Sequence, residues 1–547
     1  MTTQLDQNDP LGKFFPFPEY RPYQRETIVE IAQAFRDGKD NVILEAPVGS
    51  GKSVVAVALA NILQTAYFIT SSKILQSQYI NDFEHIVELK GRNAYPCWFM
   101  NDYQKANKYF GADKGKCVQK GKSFLDMCVG KGRCSYKNQV DLATSSPQVM
   151  FNFSSFLFQR NMAGRFKNSK KLLVIDECQN TEMQIMNFVE VVIKGDDIDT
   201  KLPSLGSVDL YMGFFKSINI EMVIAEKASF TRSQALALCG SDESEIVNLS
   251  KEDAEFVIKN MKLADRYDNM LLRYRRLVED VNNVKCVCDF DAKNNSVSIK
   301  PLYANYHTPK LLLTGGENRL LMSATILNPK VYGESIGLDM SKTHYISVPH
   351  TFPRNNRLIH LDYAGPMDYK SRSDTMPIMI DKVDKLMSKH GNEKGIIHCQ
   401  SFKLMKDISD GLSAKNKGRL LNQTMFRNKD ELLDAHSVSN NTVIIAPAMH
   451  EGLDLKNDLS RFQIVAKIPY PDSRGNKQLE IRTKENWNYY LWLTALKLVQ
   501  STGRSVRSET DYASTYILDA SFDKFFNMAD RAKLLPNWFV ESLVVEE

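Results

Sequence analysis

The sequence predicts an α/β protein with two cores, each built on a parallel sheet that helices cover on both faces. Apolar runs rich in β-branched residues recur along the chain, and helical periodicity follows most of them. They are NVILEA, TAYFIT, KLLVIDE, RLLMSAT, KGIIHC, TVIIAPA and RFQIVAKIPY. The runs form two groups, one up to about residue 330 and one from about residue 350. A chain of 547 residues also exceeds the ~250–300 residues at which single cores stop growing.

The first run leads into a glycine-rich turn and then into the helical segment KSVVAVALA. The turn fits A-x-x-x-x-G-K-S, a Walker A pattern in which Ala46 replaces the usual first glycine. Backbone N–H groups of such a turn wrap a polyphosphate, and the helix N-terminus adds partial positive charge. Lys52 would reach the β/γ-phosphates, and Ser53 would bind Mg²⁺. The predicted ATP-binding residues are Ala46, Pro47, Val48, Gly49, Ser50, Gly51, Lys52 and Ser53. The alternative is a strand-to-helix turn that binds nothing.

The run KLLVIDECQN places Asp176 and Glu177 at the carboxyl end of a hydrophobic strand. A Walker B site requires this position, with Asp176 holding Mg²⁺ and Glu177 polarising the attacking water. An isolated pair of carboxylates is usually a solvated strand end. Together with the glycine-rich turn, the pair predicts ATP hydrolysis.

A third motif, Q-x-x-G-R-x-x-R, contains Gln500, Arg504 and Arg507 near the C-terminus. The two arginines lie one helical turn apart and share a face, so both can reach across a cleft to the γ-phosphate. Arginine fingers of this kind raise phosphoryl-transfer rates by ~10³ to 10⁵. The alternative is a surface pair bound to Glu509 or Asp511.

These motifs, with SAT at 323–325 and HEGLD at 450–454, occur in the order of superfamily 2 helicase motifs. The chain resembles the XPD/DinG family of iron–sulfur DNA helicases over nearly its whole length. The resemblance implies that ATP binds between two RecA-like cores, that Gln24 of RPYQ reads adenine, and that Gly452 and Asp454 contribute to the nucleotide site. One departure stands out, because CQ replaces the final two residues of the family's D-E-A-H motif.

A basic segment at residues 91–140 carries ten Lys or Arg residues against three Asp or Glu. It also contains Cys97, Cys117, Cys128 and Cys134. The intervals between these cysteines leave a zinc site, a [4Fe–4S] cluster and unligated thiols open. The resemblance implies the [4Fe–4S] cluster, because the family carries a four-cysteine cluster between the same two motifs.

Aromatic residues are interleaved with the basic ones in this segment. Bases stack on aromatic rings and phosphates pair with Lys and Arg, so the mixture suits single-stranded DNA. The alternative is that most of these rings pack in the interior of a small domain. The polar N-terminus, the lack of a long apolar run and the odd number of cysteines predict an intracellular, cytoplasmic protein that does not contact a membrane.

The resemblance therefore implies an α/β fold with two RecA-like cores, an iron–sulfur insertion and a helical arch. The expected domains are core 1 in residues 1–90, 141–180 and 284–335, an iron–sulfur domain in 91–140, a helical arch in 181–283 and core 2 in 336–547.

The function implied is an ATP-dependent DNA helicase that uses ATP, Mg²⁺ and a [4Fe–4S] cluster. We expect a monomer that moves 5′ to 3′ on single-stranded DNA and unwinds forked or 5′-tailed duplexes, with DNA–RNA hybrids as further candidate substrates. One alternative is an ATP-driven translocase that remodels protein–DNA complexes or hybrids with little duplex unwinding. An alternative from another class is a regulatory DNA-binding subunit with a vestigial ATPase.

Overall fold

The described residues of the computed structural model form two seven-stranded parallel sheets, a three-stranded antiparallel sheet and the two-stranded antiparallel sheet of Thr3–Gln4 with Glu19–Tyr20. The structure describes residues 3–4, 9–97, 111–114, 132–238, 250–447, 455, 457–503, 505–506 and 510–545. Among the described residues, no helix is both long and apolar enough to cross a membrane.

The strands, in chain order, are β1 (Thr3–Gln4), β2 (Glu19–Tyr20), β3 (Asn41–Glu45), β4 (Ala66–Thr70), β5 (Val87–Leu89), β6 (Gln148–Asn152), β7 (Lys170–Asp176), β8 (Val191–Lys194), β9 (Cys286–Asp291), β10 (Ser296–Pro301), β11 (Gly316–Ser323), β12 (Thr343–Ser347), β13 (Ile359–Gly365), β14 (Gly395–His398), β15 (Leu420–Asn422), β16 (Val443–Ala446), β17 (Phe462–Val465), β18 (Ser514–Asp519) and β19 (Leu543–Val545).

The α-helices are α1 (Gln24–Arg36), α2 (Lys52–Leu63), α3 (Lys73–Asp82), α4 (Ser135–Ser145), α5 (Phe153–Asn161), α6 (Thr181–Val189), α7 (Val208–Ser217), α8 (Ile220–Leu238), α9 (Lys251–Asp280), α10 (His307–Leu311), α11 (Pro329–Ser335), α12 (Arg372–Lys389), α13 (Phe402–Gly411), α14 (Ala414–Lys417), α15 (Lys429–Val438), α16 (Lys477–Glu485), α17 (Trp487–Thr502), α18 (Ser521–Arg531) and α19 (Asn537–Glu541).

The first core is a seven-stranded parallel sheet in the order β12-β3-β11-β7-β4-β6-β5. Its central strands are buried on both faces, as their continuous apolar runs predict. In β3, Ile43 packs into one hydrophobic cluster while Val42 and Leu44 pack into the cluster on the opposite face. Because all strands run in parallel, the residues that follow β3, β7 and β11 meet at one edge of the sheet.

The second core is also a seven-stranded parallel sheet, in the order β15-β16-β14-β17-β18-β13-β19. The seven apolar runs identified in the sequence each contain a strand of one of the two large sheets. The expected pair of parallel α/β cores is therefore confirmed.

The boundary between the cores lies later in the chain than the predicted break between residues 335 and 336. Strand β12 pairs in parallel with β3, so the first core continues to Ser347. The sequence of β12, THYIS, is only partly buried because the strand lies at the edge of the sheet. An edge strand lacks the continuous apolar run that identifies seven of the other strands in the sequence.

The predicted helical arch at residues 181–283 also differs from the observed insertion. Helix α6 packs into the first core, where Ile185 and Val189 join its main hydrophobic cluster. The insertion contains helices α7 to α9 together with the antiparallel sheet β8-β10-β9, so it extends to Pro301. Pairing of β8 with β10 joins residues about a hundred positions apart, which local periodicity does not reveal.

Candidate ATP site between the two cores

The glycine-rich turn joins β3 to α2, as the sequence predicts. Gly49 and Gly51 have φ values of 83° and 80°, in the left-handed region that favours glycine. A Cβ atom at Gly51 would lie 2.2 Å from Nε2 of Gln24, so a larger residue would collide with a buried side chain. The turn therefore needs glycine at this position for both its conformation and its packing.

Lys52 opens helix α2 and turns its ammonium group back over the loop. Its Nζ atom donates to the carbonyl oxygens of Ala46, at 2.9 Å, and Pro47, at 3.3 Å. The charge of Lys52 also acts on Asp176, where it favours the ionised carboxylate. The structure thus brings the lysine of the first motif to the acidic residue of the second.

Asp176 ends β7 and is almost completely buried. Its Oδ2 accepts a hydrogen bond from the Tyr79 hydroxyl at 3.0 Å, and its Oδ1 accepts one from the Glu177 N–H at 2.9 Å. Burial, reinforced by the charge of Glu177, raises the pKa of Asp176 to about 6, against the opposing effects of Lys52 and Tyr79. A second cation at this site would favour the carboxylate further.

Tyr79 is a site residue that the sequence motifs do not reveal. Its hydroxyl is hydrogen-bonded to both Asp176 and Ser53, the two predicted Mg²⁺ ligands. A carboxylate and a hydroxyl around one point are the hard oxygen donors that Mg²⁺ prefers, so these residues fit the ion. Tyr79 is completely buried in α3, and only its position in the fold connects it with the site.

Glu177 follows Asp176 in a left-handed conformation, with φ of 54°. Gln179, two residues later, donates from Nε2 to Oε2 of Glu177 at 2.6 Å. The backbone carbonyl of Cys178 accepts a hydrogen bond from the Tyr332 hydroxyl at 2.9 Å. Gln179, at the position of the histidine in the expected D-E-A-H motif, therefore holds the carboxylate that is predicted to polarise water.

A cleft of about 860 Å³ separates the two cores beside these groups. Glu45, Pro47 and Glu177 line its first-core wall, and Gln500 with Gly503 line the opposite wall. Gln500 lies near the end of α17, and its Oε1 is buried without a hydrogen-bond partner among the described residues. The structure thus brings Gln500 to the same cleft as the two first-core motifs. The predicted residues Arg504, Arg507, Gly452 and Asp454 lie outside the described residues.

Two family models match the two cores. The model described as Helicase C-terminal domain matches residues 385–542, and the model described as Type III restriction enzyme, res subunit, matches residues 17–195. Three solved structures match nearly all of the chain at 15% identity. One named XPD helicase has a TM-score of 0.64 and covers 97% of this chain and 100% of its own.

The second structure is Xpd4 from S. tokodaii, with a TM-score of 0.57 and coverage of 96% of this chain and 100% of its own. The third, named XPD apo, has a TM-score of 0.59 and covers 95% of this chain and 100% of its own. In its fold, this chain is similar to XPD helicases. No curated protein sequence matches it.

In this fold, the side-chain amide of Gln24 connects the backbone of Arg21 to the glycine-rich turn. Its Oε1 accepts from the Arg21 N–H at 2.8 Å, and its Nε2 donates to the carbonyl oxygens of Ser50 and Gly51 at 3.2 Å. The Arg21 guanidinium donates to the Gly49 carbonyl at 2.7 Å. Gln24 therefore supports the loop, and its reading of adenine stays a prediction.

Two of the four cysteines predicted to bind a cluster, Cys97 and Cys134, lie within the described residues of the chain, while Cys117 and Cys128 lie outside them. Ser135 Oγ donates to the Pro96 carbonyl at 3.0 Å, so the neighbours of the two described cysteines are in contact. This contact and the thiol chemistry fit a shared site. Among the described residues, no group of three or more His, Cys, Asp or Glu side chains is arranged to hold a metal ion.

The aromatic residues that can be placed in the basic segment pack against the first core. Tyr95 and Tyr136 have ring centroids 5.6 Å apart, and both contact the main hydrophobic cluster. The Tyr136 hydroxyl accepts a hydrogen bond from Gln159 at 2.8 Å. For these two rings, packing in the protein interior is the observed role.

Proposed function

We propose that this chain is an ATP-dependent DNA helicase that moves 5′ to 3′ on single-stranded DNA and unwinds duplexes that carry a 5′ tail. The observation that carries the proposal is the cleft between the cores. One wall presents the glycine-rich turn and Glu177, and the other presents Gln500 at the end of α17. A nucleotide bound there would contact both cores, so its hydrolysis can change their spacing.

In the proposed hydrolysis, residues of both cores contact the nucleotide and each has a separate role. Lys52 and the loop N–H groups hold the phosphates, while Glu177, oriented by Gln179, accepts a hydrogen bond from the attacking water. Ser53 and Asp176 would hold Mg²⁺, which neutralises phosphate charge when bound. Arg504 and Arg507 would stabilise the transition state from the second core, with Gln24, Gly452 and Asp454 completing the nucleotide site.

Strand translocation would follow from alternate closing and opening of the cleft around ATP. The basic composition of residues 91–140 supports an interaction with nucleic acid. Cys97, Cys117, Cys128 and Cys134 would hold a [4Fe–4S] cluster, which cross-links their segments when bound. The 5′-to-3′ direction and the preference for DNA rest on the family resemblance, and we propose that the protein acts as a monomer.

Strand-displacement assays test this function. Fluorescent forked, 5′-tailed and 3′-tailed DNA duplexes and a DNA–RNA hybrid would be compared, with ATP hydrolysis measured in parallel. We expect single-stranded DNA to stimulate hydrolysis and the forked and 5′-tailed DNA to open. Lys52→Ala should lose both activities while it retains strand binding, because it removes a phosphate contact and leaves the basic segment intact.

The other outcomes identify the alternatives. Hydrolysis stimulated by single strands without duplex opening would indicate a translocase or remodelling enzyme. Strand binding without hydrolysis in the wild-type protein would indicate a regulatory subunit. Opening of a duplex with only a 3′ tail would reject the proposed direction.

A further inference from the structure

The peptide unit that follows the SAT motif is held from both sides, by one residue of each core. Glu45, the last residue of β3, accepts hydrogen bonds from the N–H groups of Ile326, at 3.0 Å, and Leu327, at 3.2 Å. The carbonyl of Ile326 accepts a hydrogen bond from the indole Nε1 of Trp492 at 2.8 Å. Ile326 is fully buried, so neither bond is exchanged readily for a bond to water.

The first-core side of this contact is continuous with the ATP site. Glu45 directly precedes Ala46, the residue whose carbonyl accepts a bond from Lys52. The Tyr345 hydroxyl donates to the same Glu45 carboxylate, and both side chains line the cleft. Burial raises the pKa of Glu45, while its hydrogen bonds and Lys52 favour the ionised form. A conformational change of the glycine-rich turn would therefore move the Glu45 carboxylate, which holds Ile326.

The second-core side leads to the third motif. Trp492 is almost fully buried in α17, and Gln500 lies eight residues later on the same helix, ~12 Å along the axis. The indole ring also packs against Tyr332, with centroids 6.5 Å apart. Tyr332 in turn donates to the carbonyl of Cys178, the residue after Glu177. Trp492 is thus connected to both first-core motifs through one intermediate residue each, Ile326 for Glu45 and Tyr332 for Cys178.

We infer that Glu45 and Trp492 are positioning residues that couple the glycine-rich turn to α17 through the Ile326 peptide. This inference rests on the proposed ATP hydrolysis. A rigid connection of this kind fixes the position of Gln500 when the cleft closes. Loss of this connection should leave the glycine-rich turn able to bind ATP but misplace the second-core groups, which act on the transition state.

The test compares Trp492→Phe and Glu45→Gln with the wild-type chain by steady-state ATP titration, with and without poly(dT). Trp492→Phe removes the indole N–H and retains an aromatic ring, and Glu45→Gln retains the side-chain volume. We expect each to lower kcat about tenfold, the order that one buried hydrogen bond supplies, with KM for ATP changed less than about twofold. Trp487→Phe is the matched control, because Trp487 lies on the same helix and is 47% exposed.

The double variant provides the deciding measurement. Because both residues act through one peptide, we expect it to be no slower than the slower single variant. Three results would overturn the inference. The first is a double variant whose fall in kcat equals the product of the two single falls. The others are an unchanged kcat in a folded Trp492→Phe protein and a loss of activity that comes from a raised KM for ATP. Circular dichroism and melting curves establish folding, and Glu45→Gln tests the same contact if Trp492→Phe does not fold. A wild-type protein that poly(dT) does not stimulate would reject the DNA function, while the basal kcat comparison would still decide the coupling.

Discussion

Gln179 donates a hydrogen bond to the Glu177 carboxylate across 2.6 Å, within the motif predicted to activate water. The other amide atom of Gln179, Oε1, is buried and has no hydrogen-bond partner among the described residues. Glu177 also has a left-handed backbone, with φ of 54°. Two features therefore fix the orientation of the Glu177 carboxylate. One is the backbone conformation of Glu177, and the other is the side-chain amide of Gln179, which occupies the position of the histidine in the D-E-A-H motif.

Replacement of Gln179 tests whether this contact orients Glu177, the carboxylate proposed to activate water. Gln179→Ala should lower kcat for ATP hydrolysis ~10- to 100-fold with little change in KM, because a misdirected base affects the transition state more than nucleotide binding. Gln179→His restores a ring N–H and should retain most activity. Steady-state kinetics of both variants would check this, and equal kcat values for wild type and Gln179→Ala would contradict it.

Tyr79→Phe tests the support of the proposed Mg²⁺ ligands. The variant retains the buried ring but loses the hydroxyl that contacts Asp176 and Ser53. We expect half-maximal ATP hydrolysis to require about 10-fold more Mg²⁺, because loss of a hydrogen bond that holds metal ligands typically lowers metal affinity ~10- to 100-fold. Tyr67→Phe is the matched control in the adjacent strand β4, and its Mg²⁺ curve should overlay the wild type. A similar shift in both variants would indicate a general packing effect.

A buried ion pair between Glu182 and Arg482 joins α6 of the first core to α16 of the second. The Tyr489 hydroxyl donates to the same carboxylate at 2.9 Å, and its ring lies 3.7 Å from the guanidinium carbon. Arg482→Met should reduce the free energy of unfolding by ~3–5 kcal/mol, because it leaves Glu182 charged and buried. Denaturant titration would measure the loss.

Two further variants control the ion-pair experiment. The double replacement Glu182→Gln with Arg482→Met should recover part of the stability, since no uncompensated charge remains. Lys484→Met breaks an exposed pair with Glu480 on the same helix and should cost less than ~1 kcal/mol. If Arg482→Met costs no more than Lys484→Met, the pair does not hold the cores together.

His350 should make the stability of the protein depend on pH. Burial, with the nearby charge of Arg357, lowers the pKa of His350 to about 4, from an ordinary value of 6.5. Between these values the unfolded chain binds a proton that the folded chain does not, so stability falls as pH falls. We expect a loss of about 1–2 kcal/mol between pH 7 and pH 5 from this group.

The His350→Gln variant separates this histidine from other titrating groups. Its unfolding free energy should change less than that of the wild type between pH 7 and pH 5. Identical slopes in wild type and His350→Gln would exclude the burial effect.

The family resemblance implies that the four cysteines of the basic segment bind iron. Protein purified without exposure to air should contain about four irons per chain and absorb visible light as a [4Fe–4S] protein does. Cys117→Ser and Cys134→Ser should each lose the iron, and Cys399→Ser, at a buried position in the second core, should retain it. Metal analysis that finds stoichiometric zinc in air-free protein would reject the cluster.

The sequence alone determined the two α/β cores and the first-core ATP motifs. Its apolar runs mark strands that are buried on both faces, and the Walker A and B residues are adjacent to such strands. These features are local, because a strand, a glycine-rich turn and a helix follow one another within about twenty residues. The carboxyl-edge rule for parallel sheets then brings Lys52 and Asp176 together without further information.

The tertiary structure decided the features that depend on distant partners. Edge strand β12 joins the first sheet through its pairing with β3. Strand β8 pairs with β10, about a hundred residues later in the chain. Tyr79 and Trp492 belong to no motif, and each matters because packing places its polar atom on a buried acceptor near the site. Periodicity reports whether a residue is buried, whereas the choice of partner is set by long-range packing, which no local pattern records.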